Sequence, residues 1–420
     1  VDLTDLALQQ DEPEQTSRGP LEGVRILDLT TVIMGPYATS ILADLGADVI
    51  KVEEPGGDML RGLGGSRSPG MSGMALGLNR NKRCVVLDLK AAEGRDVLDS
   101  LIARVDVVVT NLRPSVRTRL GLTYERLREV KDDIVLCTAQ GFRTGSAEQD
   151  RPAYDDIVQA RSGMTSLFEP SAGTRAYAPF IVADKVSGLT IVYSIMAAVI
   201  NLHRTGQGQW VDVPMVDTMV AFNLVEHLNG HTFEPPVGEF GWTRVLTKIR
   251  QPQRTADGWV CLLPYSDRNW ADFFRFTDRA DASADSRFAT TNARHKNMDA
   301  LLAIVAEAAH AHTTEEWLTF CAQHNIPASE VPDLIDIPTD PYVTEVGLVS
   351  THHHPTEGAC RVVASPARFS GSPPPAGSHA RPAGADTRTV LLEAGFSPDR
   401  IEALLAARVA GGPAAGPAES

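Results

Sequence analysis

The sequence predicts an α/β protein with a doubly wound, Rossmann-like sheet in a large domain and a second, smaller mixed α/β domain. Three observations carry that reading. From residue 21 to about 141, short apolar runs alternate with amphipathic stretches, as βαβ units of a parallel sheet require. A chain of 420 residues, 43% hydrophobic and 22% charged, is ordinary in composition but long for one compact core. After about residue 219 the alternation lapses, in segments such as DGWVCLLPYS and TTEEWLTFCAQHNI.

Each element follows in order. VRILDL (24–29) is the first strand. Gly35 and Pro36 then open a helix, with proline at its favoured first position. Ile41, Leu42 and Leu45 form the apolar face of that helix, and Gly46 closes it. ADVIKVE (47–53), CVVLDL (84–89), VDVVVTNL (105–112) and DIVLCTAQG (133–141) are further strands, with a helix over 91–103. The large domain thus covers 20–218, the small domain 219–345, and a return segment over 346–410 ends in two helices that complete the large domain. Ser397 and Pro398 mark the start of the last helix. The acidic head (1–19) and the Ala/Gly/Pro tail (411–420) read as disordered. Between Lys185 and Arg204 lie eighteen residues without Asp, Glu, Lys or Arg. Ser, Thr, Tyr and Asn interrupt them, so the segment reads as a buried core helix rather than a membrane span.

Several function classes are excluded on chemistry. A formal charge of -14 is wrong for a nucleic-acid partner, which needs a broad basic surface. Cys84, Cys137, Cys261, Cys321 and Cys360 are odd in number and form no C-x-x-C pair, which fits a reducing cytoplasm without disulfides or zinc. Residues 1–19 carry five acids and no apolar run, unlike an export signal, so a cytoplasmic location is expected. After the first strand stands TTVIMGPYA in place of G-x-G-x-x-G, which removes the phosphate-cradling loop of a dinucleotide enzyme. Neither G-x-S-x-G, H-E-x-x-H nor a Walker loop is present. His352, His353 and His354 are adjacent in a Pro-flanked stretch and read as a surface loop, with no metal expected.

Asp184, in PFIVADKVSG, stands where an apolar run meets the long apolar helix. Free N–H groups and the positive dipole end there favour a carboxylate. From the residues alone it is either a helix cap or a functional carboxylate. Two basic clusters, Asn81-Lys82-Arg83 and Asn111-Leu112-Arg113 with Arg117 and Arg119, sit beside strand ends. Ligands of open α/β sheets bind beyond the carboxyl ends of strands, so residues 111–119 are placed to meet a nucleotide phosphate.

LEGVRILDLTTVIMGPYATSILADLGADVIKVEEPGGD resembles the opening of the family III CoA-transferases, the group that includes formyl-CoA transferase, carnitine-related CoA-transferases and α-methylacyl-CoA racemase. The likeness continues through LNRNKRCVVLDLKAAEGRDVLDSL, YDDIVQARSGMTSL and TGQGQWVDVPMVD, over roughly 21–410. The resemblance implies that Asp184 is the catalytic aspartate, passing CoA between carboxylic acids through mixed anhydrides and an aspartyl-CoA thioester. It implies an interlocked homodimer, an acyl-CoA donor, a carboxylate acceptor, and no tightly bound cofactor or metal. CoA contacts carry over to Thr31, Val32, Ile33, Lys82, Asn111, Leu112, Arg119 and Leu120, with Lys82 and Arg119 as phosphate ligands. The family's glycine-rich loop corresponds to VGEFG, in which Gly238 and Gly241 stand for a longer glycine run. Racemases of the family carry a His thirty residues before the Asp. Here that position is Tyr154, whose side-chain type has an ordinary pKa of about 10 and is a poor base near neutrality. A transferase is therefore expected, with an acyl-CoA racemase or isomerase and a non-catalytic acyl-CoA-binding protein as the alternatives.

Overall fold

The structure, a computed structural model, describes residues 18–412 apart from 244 and 376, and leaves the side chain of His295 undescribed. The disordered head and tail expected from the sequence lie largely outside the described residues. In chain order the strands are β1 (Arg25–Asp28), β2 (Asp48–Glu53), β3 (Lys82–Leu87), β4 (Val107–Thr110), β5 (Val135–Thr138), β6 (Trp210–Asp212), β7 (Gln253–Arg254), β8 (Trp259–Leu262), β9 (Ala328–Glu330), β10 (Val349–His354), β11 (Gly358–Val363) and β12 (Ala410–Gly411).

The chain divides into two compact units. The larger takes the residues up to Ser162, Pro179–Val220 and those from Gly347 on. Its sheet runs in the order β12-β3-β2-β1-β4-β5-β6. β1 to β6 are parallel, and only β12 is antiparallel. Leu27 stands opposite both Ile50 and Val108. Most residues of β1 to β5 are buried, as expected of a parallel sheet covered on both faces, and the few charges among them are paired inside the fold. One covering layer joins distant parts of the chain: Val97, Leu101 and Leu127 pack with Val390, Leu391, Ile401 and Leu404 around Leu27, Val85 and Val108. Ser397 caps the last helix, accepting the Arg400 N–H. The disordered tail was expected from 411, yet Gly411 pairs with Val86 as the end of β12.

β3 begins two residues before the apolar run that announced it, and this changes the meaning of Lys82. Its side chain is fully buried, with Nζ 3.2 Å from Asp28 Oδ2, 2.8 Å from Thr39 Oγ1 and 3.0 Å from the Pro36 carbonyl. Asp28, 0% exposed, also accepts from the Thr30 N–H and hydroxyl and from Thr39. Lys82 is therefore a structural cation inside the fold and not the phosphate ligand expected of it. Arg83, from the same basic cluster, pairs with Asp48 and Glu393.

The 24-residue helix Val182–Thr205 is long and apolar enough to cross a membrane by length and composition. One face packs on the first helix, Met34–Asp44, and on β5. A Cβ at Gly188 would fall 2.8 Å from the Tyr37 ring, so glycine lets the two helices approach there. The opposite face carries Leu189, Tyr193 and Ile200 to the surface, so the expected core helix is only half buried. The histidine run also differs from expectation. It forms the end of β10, paired with β11 so that His352 faces Cys360, and His354 is buried with Nε2 2.9 Å from the Ala380 carbonyl.

The smaller unit comprises Gly163–Ala178 and Ala221–Val346. The sequence alone places the first of these segments within the large domain, 20–218. Its core gathers Val260, Phe273, Leu301 and Trp317, with Phe273 and Trp317 stacked at 5.7 Å. β7, β8 and β9 form its antiparallel sheet.

Gly94 lies inside the helix Ala92–Ile102, where alanine is ordinarily the better residue. A Cβ at this position would meet the Asp88 carbonyl at 2.1 Å. Gly94→Ala is expected to destabilise the protein by about 1–3 kcal/mol despite its propensity gain, as read from the denaturant midpoint. An unchanged or higher midpoint would show that the helix can shift at no cost.

Candidate active site

The strand order places β1 beside β4; the chain leaves β1 toward β2 and leaves β4 the other way, toward β5, so a crevice opens beyond the carboxyl ends of β1 and β4. The loops that wall this crevice are clamped together. Thr31 donates its N–H to Asn111 Oδ1 at 3.0 Å, and Asn111 Nδ2 donates back to the Thr31 carbonyl at 2.8 Å. The Asn111 amide thus ties the end of β1 to the end of β4.

Two adjoining cavities occupy the crevice. The larger, of about 610 Å3, is lined by Thr31, Val32, Leu89, Lys90, Leu112, Arg119, Leu120 and Tyr154, among others. Lys90 and Arg119 are exposed cations. Of the four acids lining it, Glu53 is paired with Arg61 and Asp58 with Lys51, Asp88 accepts the Lys90 N–H at 2.9 Å, and Glu54 is exposed. The smaller, of about 270 Å3, shares Thr31, Val32, Leu112, Val116 and Tyr154 with the first and reaches Ile33, Asn111, Arg113, Arg151 and Asp184. Asp184 is the one acidic residue lining it among the described residues.

Asp184 is not the helix cap. The helix begins at Val182, and Ile181 at the cap position offers no side-chain acceptor. Asp155, buried at the start of the neighbouring helix Asp155–Arg161, supplies it instead, accepting the Asp184 N–H at 3.0 Å. Gln159 in turn donates to Asp155. Burial, reinforced by the charge of Asp155, pushes the Asp184 carboxyl up to about 7. The group therefore titrates near neutrality, where it is readily ionised yet remains basic.

With the cleft, its cations and a single tuned carboxylate described, comparison with known proteins decides the class. Residues 21–387 match CoA-transferase family III. The chain belongs to that family. It is 31% identical to human succinyl-CoA:glutarate CoA-transferase, over 84% of this chain and 80% of that protein. It is 27% identical to formyl-CoA:oxalate CoA-transferase of Shigella sonnei, over 92% of this chain and 98% of that one. The crystal structure of a CAIB/BAIF family protein from Brucella suis superposes with a TM-score of 0.77 at 26% identity, covering 90% of this chain and 99% of the other. The protein is an enzyme, a family III CoA-transferase that moves CoA between carboxylates.

Within this transferase the crevice brings together Thr31, Val32, Ile33, Asn111, Leu112, Arg119, Leu120, Tyr154 and Asp184. Lys82 is absent from both linings. Tyr154, 62% exposed, lines both cavities from the residue before the helix that bears Asp155. Gly238 and Gly241 belong to the smaller unit. The Gly241 N–H donates to the His227 carbonyl at 2.8 Å, so in this conformation it is not a free oxyanion donor. The sequence alone does not single out Lys90 and Arg151, which line the cleft, or Asp155, which holds the Asp184 N–H behind it. Lys90 is a lone lysine just past β3, and its place after a strand was the available signal. Asp155 lies in the quoted YDDIVQA segment, but nothing in its spacing from Asp184 announces a contact.

Proposed function

We propose that this transferase carries CoA covalently on Asp184. The observation that carries the reading is the lone ionisable carboxylate in a cavity continuous with a larger one bearing Lys90 and Arg119. The larger cavity takes the nucleotide end of an acyl-CoA, its phosphates facing those two cations. The thioester then reaches Asp184 past Thr31, Val32 and Tyr154. The Asp184 carboxylate attacks the thioester carbonyl, the C–S bond breaks, and a mixed anhydride and CoA thiolate result. The thiolate attacks the aspartyl carbonyl, releasing the first carboxylate and leaving aspartyl-CoA thioester. The acceptor carboxylate repeats these steps in reverse, so water must be kept out while the activated aspartyl group persists. Arg113 and Arg151 line the smaller cavity with Asp184 and suit an acceptor with a second carboxylate. A dicarboxylate is the substrate class we favour, in keeping with the glutarate and oxalate in the names of the relatives. The exposed apolar row Leu189, Tyr193 and Ile200 supports a self-associated, interlocked dimer in which that face is covered.

The test is chemical trapping. With succinyl-CoA present, hydroxylamine is expected to leave a hydroxamate on Asp184 alone, located by peptide mass spectrometry and lost in Asp184→Ala. Modification elsewhere, or none with any of a panel of acyl-CoA donors, would overturn the covalent route. One observation favours a second reading. A carboxyl near pKa 7 also suits α-proton transfer, as in an acyl-CoA racemase or isomerase. Deuterium uptake at the α-carbon of a bound acyl-CoA in heavy water would identify that chemistry.

A further inference from the structure

The turn between β1 and the first helix holds a conformation that sterics oppose. Val32 has a φ of 70°, a left-handed geometry in which a β-branched side chain crowds its own backbone. Left to itself the residue would relax. A set of buried polar contacts prevents this. The Val32 N–H donates to Asp58 Oδ1 at 3.1 Å, and the same oxygen accepts the Leu60 N–H at 3.0 Å. Asp58 Oδ2 lies 2.9 Å from Lys51 Nζ, both side chains being fully buried. Lys51 also donates to the Thr30 carbonyl. The Asp58 N–H is itself fixed on Glu53 Oε2 at 2.9 Å. The ion pair therefore grips the turn on both sides of Thr31, at the Thr30 carbonyl and at the Val32 N–H.

A wholly buried ion pair adds little net stability over apolar residues of the same volume. What this pair supplies is placement. Just past Val32, Ile33 and Met34 enter the first helix, where first-turn N–H groups have no intrahelical acceptor, and both residues line the Asp184 cavity.

We infer that Asp58, locked by Lys51, is a positioning residue for CoA transfer: by holding Val32 left-handed it fixes the backbone of residues 31–34 against the reacting thioester. The inference rests on the proposed acyl-transfer role of the Asp184 cavity. Asp58 stands at the wall of the larger cavity, but its carboxylate is fully buried against Lys51 and acts through the turn it holds.

Asp58→Ala, Val32→Gly and the double variant test it, with succinyl-CoA and glutarate for turnover, coenzyme A for affinity, and urea for the unfolding midpoint. Asp58→Ala is expected to lower kcat about 10- to 100-fold, a loss larger than any in coenzyme A affinity. The double variant should recover much of that loss, because glycine adopts the left-handed turn without a brace. Val32→Gly should raise the midpoint of the native chain but not that of Asp58→Ala, in which Val32 has already relaxed. Equal kcat in Asp58→Ala and the double variant, or midpoint changes that simply add, would overturn the inference. If the native chain does not turn over this substrate pair, the transfer reading fails for that pair, while the midpoint coupling still decides the brace. Should Asp58→Ala not fold, Val32→Gly alone decides: a midpoint that does not rise removes the strain on which the inference stands.

Discussion

Asp184→Asn is expected to lower transfer on the order of a thousandfold or more, the loss typical of removing a covalent nucleophile, while making the protein more stable at neutral pH. The two effects share a cause. Burial and the neighbouring Asp155 charge raise the folded-state pKa of Asp184 from 3.8 to about 7. Between those values the unfolded chain has released the proton and the folded chain retains it, so stability falls as pH rises. The contribution is fully present below pH 3.8 and is gone above about 7. Asparagine carries no such titration. Unfolding midpoints of the two proteins should therefore converge near pH 4 and separate as pH rises, reaching a difference on the order of 2 kcal/mol after allowance for partial solvent exposure. Native activity should rise with pH through about 7 and then level, since the attacking group must be ionised. A constant difference between the midpoints across this range would mean that Asp184 is not perturbed. Wild-type transfer by Asp184→Asn would remove it from the chemistry altogether.

The second large effect concerns stability alone. Asp28→Ala is expected to cost about 3–5 kcal/mol, the range for breaking a buried pair and stranding its partner. That is a large share of a typical folding free energy. Asp28 accepts from Thr30, Thr39 and Lys82 with no exposure to solvent. Burial pushes its carboxyl up, yet the charges of Lys51 and Lys82 outweigh that and hold it below the usual carboxylate range. Its contribution is accordingly present above the ordinary carboxyl pKa and lost only as pH falls through the lower folded-state value. Denaturant unfolding at pH 7 measures the cost. The double variant Asp28→Leu/Lys82→Met should be milder than Asp28→Ala, although it changes two residues, because it leaves no charge behind. A double variant at least as unstable as Asp28→Ala would show that the cost comes from packing instead.

Legibility in the sequence followed the length and period of each signal. β1, β2, β4 and β5 were visible as apolar runs between helical stretches, and the last helix as Ser397 followed by Pro398. β6 and β12, three and two residues long, carry no period to read. β3 was placed late because Lys82 and Arg83 look like solvated charge until Asp28 and Asp48 are seen opposite them. The resemblance carried a phosphate role over to Lys82, and only its burial against Asp28 removes that role. Asp184 is ambiguous from the residues alone, a helix cap or a functional carboxylate, and it was the resemblance that singled it out; the structure puts it in the smaller cavity and gives the cap to another residue. Asp155 was not singled out, because its role exists only once two helix starts are brought together. Residues 163–178 give no compositional sign that they leave the larger unit.

The closure of the sheet has a consequence for synthesis. Asp386 accepts the Cys84 N–H, across a separation of 302 residues, and β12 covers the outer edge of β3. Until residues 386–411 leave the ribosome, β3 is an unpaired edge, and the apolar layer that Val390 and Leu404 complete lies open. At common elongation rates that interval lasts on the order of tens of seconds. Through that interval the nascent chain is exposed to aggregation, and a ribosome stalled before residue 386 would hold a large domain whose sheet edge is still bare.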